Sequence, residues 1–96
     1  MRPTADSRFN NPTGSLGLSP NPVSDQVSIE FTLPHEMQTQ VTIVNQRGET
    51  VKVVADNHHA AGSFRYPVNI SQLPAGVYFC RLRAGDLSIA RKLLKK

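Results

Sequence analysis

Along most of the chain, apolar and polar residues alternate with the period of two that sends successive side chains to opposite faces of a strand. Val27, Ile29, Phe31 and Leu33 share one face, with Ser28, Glu30 and Thr32 on the other, and Pro34 ends the run. Val41 and Ile43 follow, opposite Thr42 and Val44; after the turn Gln46-Arg47-Gly48-Glu49, Val51 and Val53 resume the alternation. Beyond a second turn at Ala60-Ala61-Gly62-Ser63, Phe64, Tyr66, Val68 and Ile70 alternate with Arg65, Pro67 and Asn69. Leu73-Pro74-Ala75-Gly76 turns the chain again. Tyr78, Cys80 and Leu82 then share a face opposite Val77, Phe79, Arg81 and Arg83, and Ala84-Gly85-Asp86 leads into a last strand over Leu87–Leu94. With a short strand near Leu16–Ser19 the count reaches seven. Short strands separated by turn signals about every 8–12 residues predict an all-β sandwich, and no helical period competes. The expected fold is a seven-stranded Ig-like antiparallel β-sandwich from Leu16 to Lys96. Residues 1–15, MRPTADSRFNNPTGS, have no periodicity and read as a flexible linker or a vector-derived remnant.

Ninety-six residues allow one domain with one small core. The lone cysteine, Cys80, excludes an internal disulfide. No apolar stretch approaches the roughly 20 residues that span a bilayer, and the N-terminus lacks the apolar core of a signal peptide. If the domain is exported, the signal is expected elsewhere in a longer protein. Charge is unevenly spread. Residues 1–64 hold four basic against six acidic residues, net −2; residues 65–96 hold seven against the single Asp86, net +6. The basic last third suits an acidic or phosphate-bearing partner, or simply a solvated strand face.

Candidate chemistry is sparse. His58-His59 follows Asp56-Asn57 in a stretch that reads as an exposed polar loop, and adjacent residues of a strand would point apart, so no metal site is expected. Cys80 falls on the core face with Tyr78 and Leu82, where a thiol is a small buried residue and not a nucleophile. The carboxylates are scattered and pair nowhere for acid–base work. No phosphate loop, dinucleotide fingerprint or zinc spacing is present. Phe79 near Arg81 and Arg83 is the one aromatic platform a nucleic acid could stack on, which is too little for that function. No catalytic activity, cofactor, metal or nucleic-acid partner is expected.

The segment Ser19-Pro20-Asn21-Pro22 stands out physically. Each proline fixes φ and removes a donor, and each residue before a proline is pushed to an extended conformation. A pre-extended stretch that donates poorly fits only a sheet edge or a connection between strands. There it would set the angle at which the upstream chain meets the domain.

The order of motifs points to a family. Pro20-Asn21-Pro22 precedes a Val/Ile strand and a second strand; N-Q-R-G-E-T-V follows at 45–51, A-G-S-F at 61–64, I-S-Q-L-P-A-G-V-Y-F at 70–79, and K-L-L-K-K at 92–96. This ordered set, spanning Leu18 to Lys96, resembles the C-terminal sorting domain (Por secretion tail) of cargo proteins of the type IX secretion system. Ser19 stands where the family commonly has Tyr or Phe. The resemblance implies an Ig-like sandwich that acts as a non-enzymatic secretion signal. The N-terminal passenger would cross the periplasm, and the folded tail would be read by the outer-membrane type IX translocon. A sortase-like protease would often remove the tail afterwards, leaving the passenger on the outer membrane, on the cell surface or in the medium. The motif residues to which recognition is assigned are Pro20, Asn21, Pro22, Gly48, Gly76, Tyr78, Lys92, Leu93, Leu94, Lys95 and Lys96.

Physics assigns some of these a structural part first. Gly48 suits a positive-φ turn, Gly76 a tight turn after Pro74 where a Cβ would be obstructed, and Tyr78 a core position whose hydroxyl ties back to the turn. Lys92–Lys96 is expected to be an edge strand kept soluble by lysine, with free backbone groups that a partner's sheet, or a second copy of the chain, could pair with. An Ig-like or fibronectin-like adhesion module binding a surface polymer is the competing reading; such a module should tolerate loss of Lys92–Lys96, whereas a sorting signal should not.

Overall fold

A computed structural model describes residues 14–96. Among the described residues the chain forms seven strands and no helix: β1 (Ser15–Ser19), β2 (Gln26–Leu33), β3 (Met37–Val44), β4 (Thr50–His59), β5 (Gly62–Asn69), β6 (Gly76–Ala84) and β7 (Leu87–Lys95). All named strand pairs are antiparallel. They make two sheets, in the orders β1-β2-β5 and β4-β3-β6-β7. The linker assigned to 1–15 lies outside the described residues up to position 13, and Ser15 opens β1.

One apolar cluster fills the space between the sheets. Val27, Ile29, Phe31 and Leu33 of β2 face Val41 and Ile43 of β3, Tyr78, Cys80 and Leu82 of β6 and Leu93 of β7, all buried. The alternation read for β2, β5 and β6 is the alternation observed: side chains of one parity enter the core and those of the other meet solvent. β3 is buried on both faces over Val41–Val44, because it lies in the middle of its sheet with Phe79 and Arg81 beside Val44 and Thr42 on the outer side.

β4 departs from its sequence pattern. Val51 and Val53 resume the alternation in sequence, yet they are 37% and 56% exposed. The register explains it. Val41 pairs with Ala55 but Thr42 pairs with Val53, and Ile43 pairs with Lys52 but Val44 with Thr50, so Val54 and Val51 are extra residues in two bulges. Each bulge slips the parity by one and moves the valines off the core face.

The polar loop expected at Asp56–His59 is instead the end of β4, and its two histidines point opposite ways. His58 is exposed, with Nε2 2.7 Å from Glu36 Oε2. His59 is buried at 6% exposure and closes the gap between the sheets. Its Nδ1 lies 3.0 Å from the Asn57 carbonyl, which can only accept, and in the neutral ring this leaves Nε2 to accept from the Tyr66 hydroxyl at 2.7 Å. Phe31 and Phe64 enclose the pair: Phe64 meets His59 edge-on with centroids 4.9 Å apart, and Phe31 stacks over Tyr66 at 5.8 Å. Asn57-His58-His59 continues the ladder with Met37–Thr39 of β3, which is why a polar stretch forms strand here.

Candidate functional site

β7 is an edge strand of the second sheet, paired on one side with β6 from Gly76↔Lys95 to Ala84↔Leu87. Successive backbone groups of such a strand point alternately toward and away from the partner. Leu93 turns its side chain into the core and is fully buried, and Leu94 turns outward with 37% exposure. The backbone of residues 92, 94 and 96 faces away from β6, and the hydrogen bonds show what it meets there.

The partner is the Pro-Asn-Pro segment. Ser19–Pro20 and Asn21–Pro22 are both cis peptides, and the chain runs here from the edge of the first sheet onto β7. Neither proline has an N–H to give. The side-chain amide of Asn21 takes the place of a peptide group: Nδ2 donates to the Lys92 carbonyl at 2.8 Å, and Oδ1 accepts the Leu94 N–H at 3.0 Å. Val23 continues the pairing through its backbone, donating to the Leu94 carbonyl at 2.8 Å and accepting from the Lys96 N–H at 2.8 Å, as a parallel bridge to Lys95. Val23 is fully buried and anchors the segment, whereas Pro20, Asn21 and Pro22 remain exposed. Below it, Arg91 Nε donates to the Leu16 carbonyl at 3.2 Å and ties β7 to β1.

The expected free edge at Lys92–Lys96 is therefore already occupied. The reason is tertiary: a segment 73 residues away in sequence supplies both hydrogen-bonding groups of an amide from a side chain. The sequence signal was an asparagine held between two residues that cannot donate, followed by an apolar Val23. It was legible as an edge segment but named no partner.

Two of the other motif residues, Gly76 and Tyr78, lie beside the same strand, and Gly48 lies in the turn between β3 and β4. Gly76, Val77 and Tyr78 lie beside Lys95, Leu94 and Leu93, so three distant segments, 20–23, 76–78 and 92–96, run side by side. The Tyr78 hydroxyl donates to the Pro74 carbonyl at 2.6 Å, locking the turn that starts β6. Gly76 has φ of +153°, a backbone that side-chain-bearing residues rarely adopt. A Cβ there would meet no atom within 4 Å, so the dihedral and not obstruction calls for glycine. Gly48 sits at φ +84° in the β3–β4 turn, where its N–H donates to the Asn45 carbonyl at 3.0 Å. Asn45 Oδ1 accepts the N–H groups of Arg47 and Glu49 and fixes that turn. This turn and the start of β6 line a hollow of about 430 Å³ bounded by Asn45, Arg47, Gly76 and Tyr78.

The surface around β7 is basic. Among the described residues, the Glu30–Arg65 ion pair and the Glu36–His58 contact leave Lys92 and Lys96 without an acidic side chain, and Lys95 Nζ donates to the Lys96 oxygen at 3.0 Å. Among the described residues no group of three metal-ligating side chains comes together. Cys80 is fully buried, and burial pushes its thiol up to about 12, where it is protonated at neutral pH. No helix of the described residues is long and apolar enough to cross a membrane.

A search of curated proteins finds no match to the chain. The family profile of the secretion system C-terminal sorting domain matches residues 18–96, which begins two residues before Pro20 and takes in the last two residues of β1, the Pro20–Val23 segment and β2 to β7 whole. The chain belongs to that family, the type IX secretion tails, and its function is that of a C-terminal sorting signal carried to the type IX machinery behind an N-terminal passenger.

Proposed function

We propose that the outer-membrane translocon reads this domain in its folded state, after the passenger has entered the periplasm. We assign the reading to the surface formed by Pro20–Val23, β7 and the start of β6. The domain acts as a non-enzymatic signal without a cofactor. A sortase-like protease then cuts within the linker at residues 1–15 and releases the passenger to the cell surface or the medium. The observation that carries this reading is the pairing of Asn21 with Lys92 and Leu94: the two ends of the family-matched region form one surface, which exists only when the domain is folded.

The test is an export assay in a host that has the system. A periplasm-targeted fluorescent passenger would carry residues 1–96, either unchanged or with Lys92→Glu, Lys95→Glu and Lys96→Glu. Truncation after Arg91 is a poorer variant, because it removes the fully buried Leu93 along with the charges. Circular dichroism first establishes that both tails fold. Export of the unchanged tail and periplasmic retention of the charge-reversed one is the expected result. Failure of the unchanged tail to direct export would favour an adhesion module instead.

A further inference from the structure

We propose that the outward edge of β7 is the docking edge for an extended, carboxylate-bearing strand of the type IX machinery, and that Pro20–Val23 is its intramolecular placeholder, displaced on docking. The inference rests on the sorting reading above and specifies how the recognition is made.

The placeholder is an incomplete strand. A segment of ordinary residues would offer the edge a regular series of N–H and C=O groups, whereas Pro20 and Pro22 offer no N–H at all. Asn21 contributes through its side chain, and only Val23 contributes a backbone donor, to the Leu94 carbonyl. Three of the four placeholder residues are exposed, and Val23 alone is buried. A strand with a full set of backbone groups could satisfy every partner that the placeholder satisfies, and add more.

It could also start on the stretch of β7 that Pro20–Val23 does not reach, next to where Arg91 ties β7 to β1. The bonds at Lys92, Leu94 and Lys96 fix which residues of β7 face outward, so Ser88 and Ala90 face outward too. Among the described residues no backbone group pairs with these two on that side; the Ala90 carbonyl has a long contact of 3.4 Å from its neighbour Arg91. Both residues are exposed. An incoming strand can pair at Ser88 and Ala90 and then replace Asn21 and Val23 residue by residue toward Lys96. Strand addition of this kind draws affinity from main-chain bonds and specificity from side chains. The side chains here are Lys92 and Lys96, which meet no carboxylate among the described residues, so the matching strand is acidic.

Ala90→Pro removes an outward N–H while leaving the β6 side of the ladder intact, and prolines are tolerated on edges. Ala90→Val changes the side chain and keeps the N–H. With the fluorescent passenger, the unchanged and Ala90→Val tails are expected to be exported alike, and a folded Ala90→Pro tail at least tenfold less. Equal export of Ala90→Pro would overturn the docking edge while leaving the sorting reading standing. Loss of export by the unchanged tail would overturn both. Should Ala90→Pro fail to fold, hydrogen exchange on the unmodified protein decides. Mixed with purified outer-membrane translocon in detergent, residues 88–94 should gain protection as Val23 loses it. Protection elsewhere, or a Val23 amide that stays protected, would overturn displacement. Appearance of the same pattern in the protein alone, with a dimer by sedimentation, would identify the occupant as a second copy and overturn the acidic machinery strand.

Discussion

Asn21 meets Leu94 as one peptide group meets another across a sheet: its Oδ1 accepts the Leu94 N–H at 3.0 Å while its Nδ2 donates to the Lys92 carbonyl at 2.8 Å. This pairing joins the segment that enters the domain to the strand that ends the chain. It also makes the order of the last residues depend on a side chain near the first.

Asn21→Ala removes both bonds. The site is exposed, so water can take over the Leu94 N–H and the Lys92 carbonyl, and the cost is limited to about 1–2 kcal/mol. The midpoint of urea unfolding should fall accordingly, and exchange of the Leu94 amide should quicken more than that of the core strand β2. Asn21→Asp retains the acceptor but sets an oxygen against the Lys92 carbonyl, so it should be no more stable than Asn21→Ala.

Tyr78→Phe keeps the buried ring and loses the bond to the Pro74 carbonyl. A loss of about 1 kcal/mol is expected. In a domain of this size that lowers the melting temperature by about 4–8 °C, which scanning calorimetry resolves.

His59→Phe would fit an aromatic ring among Phe31 and Phe64 but leave the half-buried Tyr66 hydroxyl stranded without its imidazole partner. It should destabilise the domain by about 1–3 kcal/mol. Combining it with Tyr66→Phe, which removes the stranded hydroxyl, should recover part of the loss. A double-mutant cycle by chemical denaturation measures that recovery.

Gly48→Ala places a Cβ at φ +84° and should cost about 1–2 kcal/mol. Gly17→Ala, on β1 with open space around the position and no positive φ, should change stability little. Parallel melts of the two variants separate conformational strain from a general effect of added side chains.

Cys80 has its thiol held up to about 12 by burial, against an ordinary value of 9.0. Because the folded state holds the proton more tightly, this contribution to stability is complete below pH 9.0 and declines between there and about pH 12, where the unfolded thiol ionises first. At pH 8 a thiol reagent should leave the native protein unlabelled, and label it at the rate of unfolding once urea is added. Rapid labelling of the native protein would mean that Cys80 is not sealed in the core.

The sequence by itself determined the strands and their faces wherever side chains alternate between core and water: β2, β5 and β6 follow their apolar periodicity because a half-buried strand must. It also determined the positive φ of Gly48 and the inward Tyr78, since turn and core chemistry are local. Only the tertiary structure decided the rest. The bulges of β4 shift parity without leaving a residue-type signal, and so Val51 and Val53 face solvent. His59 reads as loop by composition, and becomes a buried bridge only because Tyr66 is brought within 2.7 Å by the opposite sheet. Asn21 carries no mark that distinguishes a loop amide from a strand substitute. Its role appears when the last strand supplies a carbonyl and an N–H at peptide spacing, a relationship between groups distant in sequence that no local pattern encodes.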